Sequence, residues 1–374
     1  MCVCLLAAAS AAAQTGPSAA ADDEHAGSSN PSSHVVAADG QEPPDAQDQH
    51  GAPDGPSFHL RAFTDIDFGQ TDDKNSPDGF SLGQFALHLS ASLGPKVSFF
   101  GETSFTARSN TFTLEVERAI LRYDYNDAFK ISVGRYHTPI NYWNTAFHHG
   151  LWLQTTIDRP QMIEFGGTFL PVHFIGLLAE GNIGPPAAGL GYNVGVGNGR
   201  GAILSRAGDA GDVNKNRAWL AKVYARPAAL YSVELGAAVY HDLLTLPTVN
   251  GVPEFISSAY VAVTRETPEI IAEFANVHHH DPVSETDFNS QAFYVQAAWR
   301  LADHPDWKPY GRYEKMLGAV GEPVFGDVSS YTGTLGVRYE LTDATALKAE
   351  YRHFRRPESA QIVNGVFVQA ALTF

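Results

Sequence analysis

The amino-acid sequence predicts an all-β chain: a transmembrane antiparallel β-barrel of about sixteen strands, within a range of fourteen to eighteen, over residues 57 to 374. Three observations predict it. Segments of period-2 alternation recur roughly every twenty residues, about what a strand of nine to eleven residues crossing a bilayer needs with its turn. The 374 residues hold 34 Gly, 22 Phe and 15 Tyr against 3 Met, which suits turns and aromatic-decorated strands better than packed helices. At the end of the chain, Val366, Val368, Ala370, Leu372 and Phe374 alternate with Phe367, Gln369, Ala371 and Thr373. No apolar run reaches the roughly eighteen residues of a membrane helix, so a helical membrane protein is excluded. A formal charge of −16 argues against nucleic acid as a partner, because it would repel a phosphate backbone.

From the N-terminus, Met1 to Ala13 are small and apolar and end on Ala11-Ala12-Ala13, the form of a signal-peptidase site. Residues 1 to 13 are therefore expected to be a signal peptide. No Lys or Arg precedes the apolar stretch, so a start upstream of Met1 is expected. Cys2 and Cys4 would leave with the signal, and the mature chain would have neither disulfide nor thiol nucleophile. Residues 14 to 56 read as a disordered acidic tether. Its eight acids and absence of Lys and Arg account for half of the net charge, and its apolar content is too low to offset chain entropy. His25, His34 and His50 in it show no metal-ligand spacing.

The predicted strands run near 58 to 68, 80 to 93, 96 to 107, 112 to 123, 128 to 136, 171 to 181, 189 to 197, 217 to 227, 230 to 241, 255 to 265, 268 to 279, 289 to 301, 306 to 317, 330 to 341, 345 to 355 and 363 to 374. Within them Phe293, Val295, Ala297, Trp299 and Leu301 oppose Tyr294, Gln296 and Arg300, an apolar face for lipid and a polar one for a wet interior. The fourth strand changes phase between Val116 and Ala119, which calls for a bulge near Glu115, Glu117 or Arg118. The sixth alternates poorly. Short turns should follow even-numbered strands, and longer loops (69 to 79, 137 to 170, 198 to 216, 242 to 254, 280 to 288, 318 to 329, 356 to 362) odd-numbered ones; 108 to 111 is the exception.

Several segments carry a resemblance. Val133-Gly134-Arg135-Tyr136-His137-Thr138-Pro139-Ile140 resembles the Gly-aromatic-Pro segment of the phosphate-selective porin O and P family. Tyr192 to Val196 with Asn198-Gly199, Pro309-Tyr310-Gly311-Arg312-Tyr313-Glu314, Leu335-Gly336-Val337-Arg338-Tyr339 and Leu347-Lys348-Ala349-Glu350-Tyr351-Arg352 are similar to its later strands, so that the resemblance covers most of 57 to 374. It implies a homotrimeric, water-filled channel in the outer membrane of a Gram-negative-type bacterium, in contact with lipid and lipopolysaccharide. The terminal Phe374 resembles the ending read by the barrel assembly machinery. The family's arginine ladder and lysine cluster do not align here residue by residue, so phosphate is not implied as the solute. The 137 to 170 connection, third on the outer side, takes the position of the loop that narrows sixteen-stranded porins.

By alternation the lumen receives Lys222, Arg226, Lys308, Arg312, Arg338, Lys348 and Arg352, interleaved with Glu314, Glu340 and Glu350. The third loop offers His148, His149, Asp158, Arg159 and Glu164. A positive wall facing a partly acidic loop would set up a transverse field, and a salt-bridged wall that only keeps the barrel round fits the same residues. The expected function is passive diffusion of small hydrophilic solutes with a weak anion preference, without catalysis, cofactor or metal. Alternatives are an outer-membrane lipase or protease barrel and a plugged structural or adhesin barrel.

Other motifs fall away on context. Residues 79 to 83 read GFSLG, but Ser81 opens a strand where a nucleophile elbow needs a strand running into a helix. The 197 to 202 stretch GNGRGA lacks a βαβ setting and reads as a flexible loop. Asp212, Asn214 and Asn216 begin like a calcium loop, but Arg217 and Val223 occupy the required Gly and Glu positions. His278, His279, His280 and Asp281 alternate faces, so that only His278 and His280 could share an ion, and they read as a solvated loop end.

Overall fold

A computed structural model describes residues 56–374 apart from 109, 148–149, 249 and 358–360. The signal peptide, the tether up to residue 55, and His148 and His149 therefore lie outside the described residues. The strands are β1 (Ser57–Thr71), β2 (Gly79–Gly94), β3 (Val97–Arg108), β4 (Thr111–Asn126), β5 (Phe129–His137), β6 (His173–Ile183), β7 (Leu190–Asn198) and β8 (Ala218–Ala225). They continue as β9 (Val233–Thr245), β10 (Asn250–Thr264), β11 (Glu269–Asp281), β12 (Thr286–Ala298), β13 (Trp307–Leu317), β14 (Ser330–Thr342), β15 (Thr345–Arg355) and β16 (Ile362–Thr373). Each pairs antiparallel with its sequence neighbours, and β1 pairs with β16, so sixteen strands form a closed barrel. Closure leaves no unpaired sheet edge. The seam ends in a reciprocal pair: the Ala62 amide donates to the Phe374 carbonyl at 2.7 Å and Phe374 donates back at 3.0 Å.

Alternation sorts the side chains as the sequence predicts. Leu335, Tyr351, Val295 and Tyr313 point outward and stay exposed, while Arg312, Glu314, Lys348 and Glu350 point inward and are buried. The bulge in β4 is present: Arg118 faces Glu102 and Val116 faces Thr103, which leaves Glu117 as the extra residue. Beside it, Gly134 has φ +147°, and a Cβ there would fall 1.9 Å from the Ala119 carbonyl oxygen, so the approach of β5 to β4 requires glycine. Ser81 lies within β2, consistent with its strand reading.

Three expectations need correction. The poorly alternating sixth strand starts two residues later than 171, at His173, because Pro171 and Val172 still belong to the loop; the Val172 carbonyl accepts from Thr138 at 3.0 Å. The expected loops 242 to 254 and 280 to 288 shrink to 246–249 and 282–285, since β9 to β12 keep laddering beyond the apolar band. Sorting of loops by parity is correspondingly weaker: the even-numbered connection 299–306 is longer than either.

Residues 138–147 and 150–172, between β5 and β6, turn into the barrel, where Ile140, Trp143, Met162, Ile163, Phe169 and Leu170 pack against inward residues of β8 to β13. A helix α1 (Tyr142–Ala146) starts this loop, its N-cap Asn141 accepting from the Asn144 amide at 3.1 Å.

Candidate functional site

The site is the barrel interior, and the 138–172 loop defines it. On β11, Glu273 accepts from the Tyr142 and Trp143 amides at 3.0 and 2.8 Å, satisfying two donors at the start of α1, and from the Tyr294 hydroxyl. Trp143 is fully buried against Tyr294, with ring centroids 5.9 Å apart at 87°. Burial of such a side chain contributes roughly 1.5–3 kcal/mol.

Lys222, Lys308, Arg312, Glu314, Arg338, Lys348, Glu350 and Arg352 are buried on the inward face, Glu340 is half-buried, and Arg226, just past the end of β8, is exposed; their partners differ from the expectation. Arg312 donates to Thr156 Oγ1 at 3.0 Å and to the carbonyls of Asp158 and Arg159 at 2.7 and 3.3 Å. Arg338 donates to the carbonyls of Trp152 and Gln154, and Lys348 to those of Leu151 and Thr156. Arg352 is bonded directly to the Asp158 carboxylate. The acids of the ladder do the complementary work: Glu350 accepts from the Ile157 amide at 2.7 Å and Glu314 from the Gln161 amide at 2.6 Å. The wall and loop thus touch along this line, where a transverse field would need an aqueous gap between them.

Carboxylates also sit beside the cations within the wall. Arg312 meets Glu314 at 3.2 Å, Arg338 meets Glu340 at 2.7 Å, and Arg352 meets Glu350. Lys308 lies 2.9 and 2.8 Å from Glu266 and Glu269, and Arg226 is 2.7 Å from Glu234. Lys222 stacks over Tyr260 at 4.9 Å. Arg159 is buried over the Phe165 ring at 3.7 Å. Glu164 faces open space, but partial burial beside Asp158 and Glu314 pushes its carboxyl up to about 6.

Across the lumen, β3 to β6 hold a second cluster. Glu102 receives Arg118 at 2.6 Å, His88 at 2.8 Å and His137 at 3.3 Å; Glu117 receives His173 at 2.9 Å and the Ser104 hydroxyl at 2.6 Å. His137 and His173, at the two roots of the inward loop, stand with ring centroids 5.5 Å apart. The loop reaches β1 as well: a Cβ added at Gly150 would lie 3.0 Å from Phe63.

A third cluster joins β9, β10 and β11 to the loops after β7 and β13. His279 is buried, not a solvated loop end: it lies 3.0 Å from Glu254 and 2.8 Å from Glu322, because it faces inward while His278 and His280 flank it near Asp287. Arg200, expected in a flexible loop, is 4% exposed. It bonds Glu254 at 3.0 Å and the Phe169 carbonyl at 2.8 Å, and its amide donates to Asp242 at 2.7 Å. Glu322 in turn accepts from the Val324 amide at 3.0 Å. Inward periodicity at Asp242, Glu254 and His279 was the available signal. Asp212 pairs with Arg217 at 2.7 Å, the aspartate side chain buried beneath the exposed arginine.

No family model matches the chain, and no curated protein matches it. Solved structures do. The anion-selective porin from Comamonas acidovorans superposes with a TM-score of 0.62 at 10% identity over 86% of this chain and 100% of that one. The outer membrane channel DcaP of Acinetobacter baumannii gives 0.61 at 13% identity, covering 86% and 99%. OmpT, an outer membrane protein of Vibrio cholerae, in its trimer form, gives 0.58 at 14%, covering 86% and 100%. The fold of this chain is that of these outer-membrane barrels.

Proposed function

We propose that the protein is an outer-membrane porin that passes small hydrophilic solutes passively and performs no catalysis. The observation that carries this reading is a closed sixteen-stranded barrel with an apolar outside, a charged inside and a long loop folded within it. The likeness to a porin and an outer-membrane channel supports the same class. Placement with the longer loops outward follows the general rule for such barrels. A homotrimer is part of the proposal, supported by the trimer form of one similar structure. The resemblance to phosphate-selective porins adds a channel class and no solute.

Selectivity should be slight. Carboxylates within the wall offset Arg226, Lys308, Arg312, Arg338 and Arg352, so the proposed anion preference is weak. Reversal potentials in a salt gradient test this, and strong cation preference would remove the anion part.

One observation favours a second reading, a barrel closed by its own loop until the loop shifts. Inward residues at mid-height are buried around the whole circumference, among them Asp65, Glu102, Glu117, Leu220, Ile256, Ala292 and Lys348. Liposome swelling separates the two. A porin admits sugars in order of size, whereas the closed barrel admits them only once the loop is released.

A further inference from the structure

The outer surface of β13, β14 and β15 carries a notch that the lumen does not explain. Register builds it in three rows. Lys315, Tyr331 and Arg355 lie side by side toward the long-loop end; Tyr313, Gly333 and His353 form the next row, and Gly311, Leu335 and Tyr351 the one below. The two glycines leave a groove of about 410 Å³ bounded by Tyr313, Leu335, Tyr351 and His353. Nothing but the His353 carbonyl oxygen, at 3.9 Å, lies near the point a Gly333 Cβ would occupy. Trp307 and Tyr339, with rings 4.8 Å apart, mark the opposite end of these strands. At roughly 3.4 Å per residue, Lys315 lies about 27 Å along β13 from Trp307. With strand tilt, that is close to the height of the apolar band of a barrel. Lys315 and Arg355, on either side of Tyr331, therefore sit where lipid headgroups sit, directly above an apolar slot.

Charge completes the argument. Among the described residues Lys315 has no ion pair or hydrogen bond. Arg355 donates to the Ser329 carbonyl at 3.2 Å and has Asp327 nearby, while His353 bonds Asn364 at 2.9 Å near Asp72. A lysine at the level of the lipid headgroups attracts anionic lipid by about 1 kcal/mol, and one with no protein anion beside it is available to a lipid phosphate.

We propose that this notch is a docking site for a phosphate-bearing lipid of the surrounding outer leaflet, with the phosphate at Lys315 and Arg355 and one acyl chain over Gly333 and Gly311. The site is independent of whether the barrel conducts, so failure of the porin reading leaves it standing.

Native mass spectrometry of the full chain in detergent micelles tests it, titrating dioleoyl phosphatidylglycerol against dioleoylglycerol, which lacks the phosphate. Wild type should retain phosphatidylglycerol over dioleoylglycerol. Lys315→Gln should weaken retention about fivefold, the factor that about 1 kcal/mol per lysine gives, and Gly333→Leu should weaken it by blocking the chain. Gel mobility of the unheated barrel checks folding, and Tyr351→Ala replaces Gly333→Leu if the latter does not fold. Equal retention of both lipids, or retention unchanged in the variants, overturns the proposal. So does a change of oligomeric state in Gly333→Leu with lipid retention intact, which would make the notch a contact between copies. Inorganic phosphate alone should bind neither wild type nor variant at the concentration where the lipid saturates; equal binding of free phosphate would overturn the lipid assignment.

Discussion

The inner wall of β13 to β15 and that of β3 to β6 use the same residue types for opposite ends. On β13 to β15, Arg312, Arg338 and Lys348 reach across to carbonyls of the inward loop, so strand cations hold a loop backbone. On β3 to β6, Arg118, His137 and His173 turn to Glu102 and Glu117 on the strands themselves, so the roots of the loop are fixed by side-chain charge. A buried carboxylate accepting from several donors forms a stiff, short-range clamp. Backbone carbonyls accept weakly but in number, and releasing one leaves the rest in place. The difference teaches that the loop is anchored rigidly at its roots and distributively along its span.

The largest expected effect comes from removing an anchor on which several cations converge. Glu102→Ala leaves Arg118, His88 and His137 around an empty position. The cost should be about 3–5 kcal/mol, the range for breaking a buried ion pair, seen as a lowered melting temperature of the detergent-solubilised barrel; an unchanged value would dissolve the contrast between the two walls. Glu254→Ala at the Arg200 and His279 cluster should come close behind for the same reason. Arg312→Ala should destabilise less, about 1.5–3 kcal/mol, yet raise single-channel conductance more than Glu102→Ala, because it frees mid-loop rather than root. Smallest is a pH effect. Glu164, pushed up to about 6, is ionised above that pH and neutral below it. Reversal potentials should therefore shift toward anions as pH falls through about 6, and Glu164→Gln should abolish the shift.

The strand count, the β4 bulge and the inward direction of Lys222, Lys308, Arg312, Arg338, Lys348 and Arg352 were legible in the sequence, because alternation and its interruption are local properties of the chain; Arg226 falls past the end of β8, where alternation no longer holds it. What the inward side chains meet was not. Arg338 and Lys348 read as pore-facing cations, but their partners are carbonyls of residues 151–156, far away in sequence and fixed only when the loop folds inward. From sequence, His279 and its neighbours read as a solvated loop end. Its burial depends on Glu322, which arrives from the loop after β13. Arg200 sits in a glycine-rich stretch whose composition signals a flexible loop, and the acids that hold it, Asp242 and Glu254, belong to two later strands.

The hydrogen-bonded seam between Ala62 and Phe374 sets an order of events in biogenesis. Because β1 and β16 close the sheet against each other, neither border is covered until both strands are in place. A barrel lacking either one would present open backbone donors and acceptors to a foreign strand.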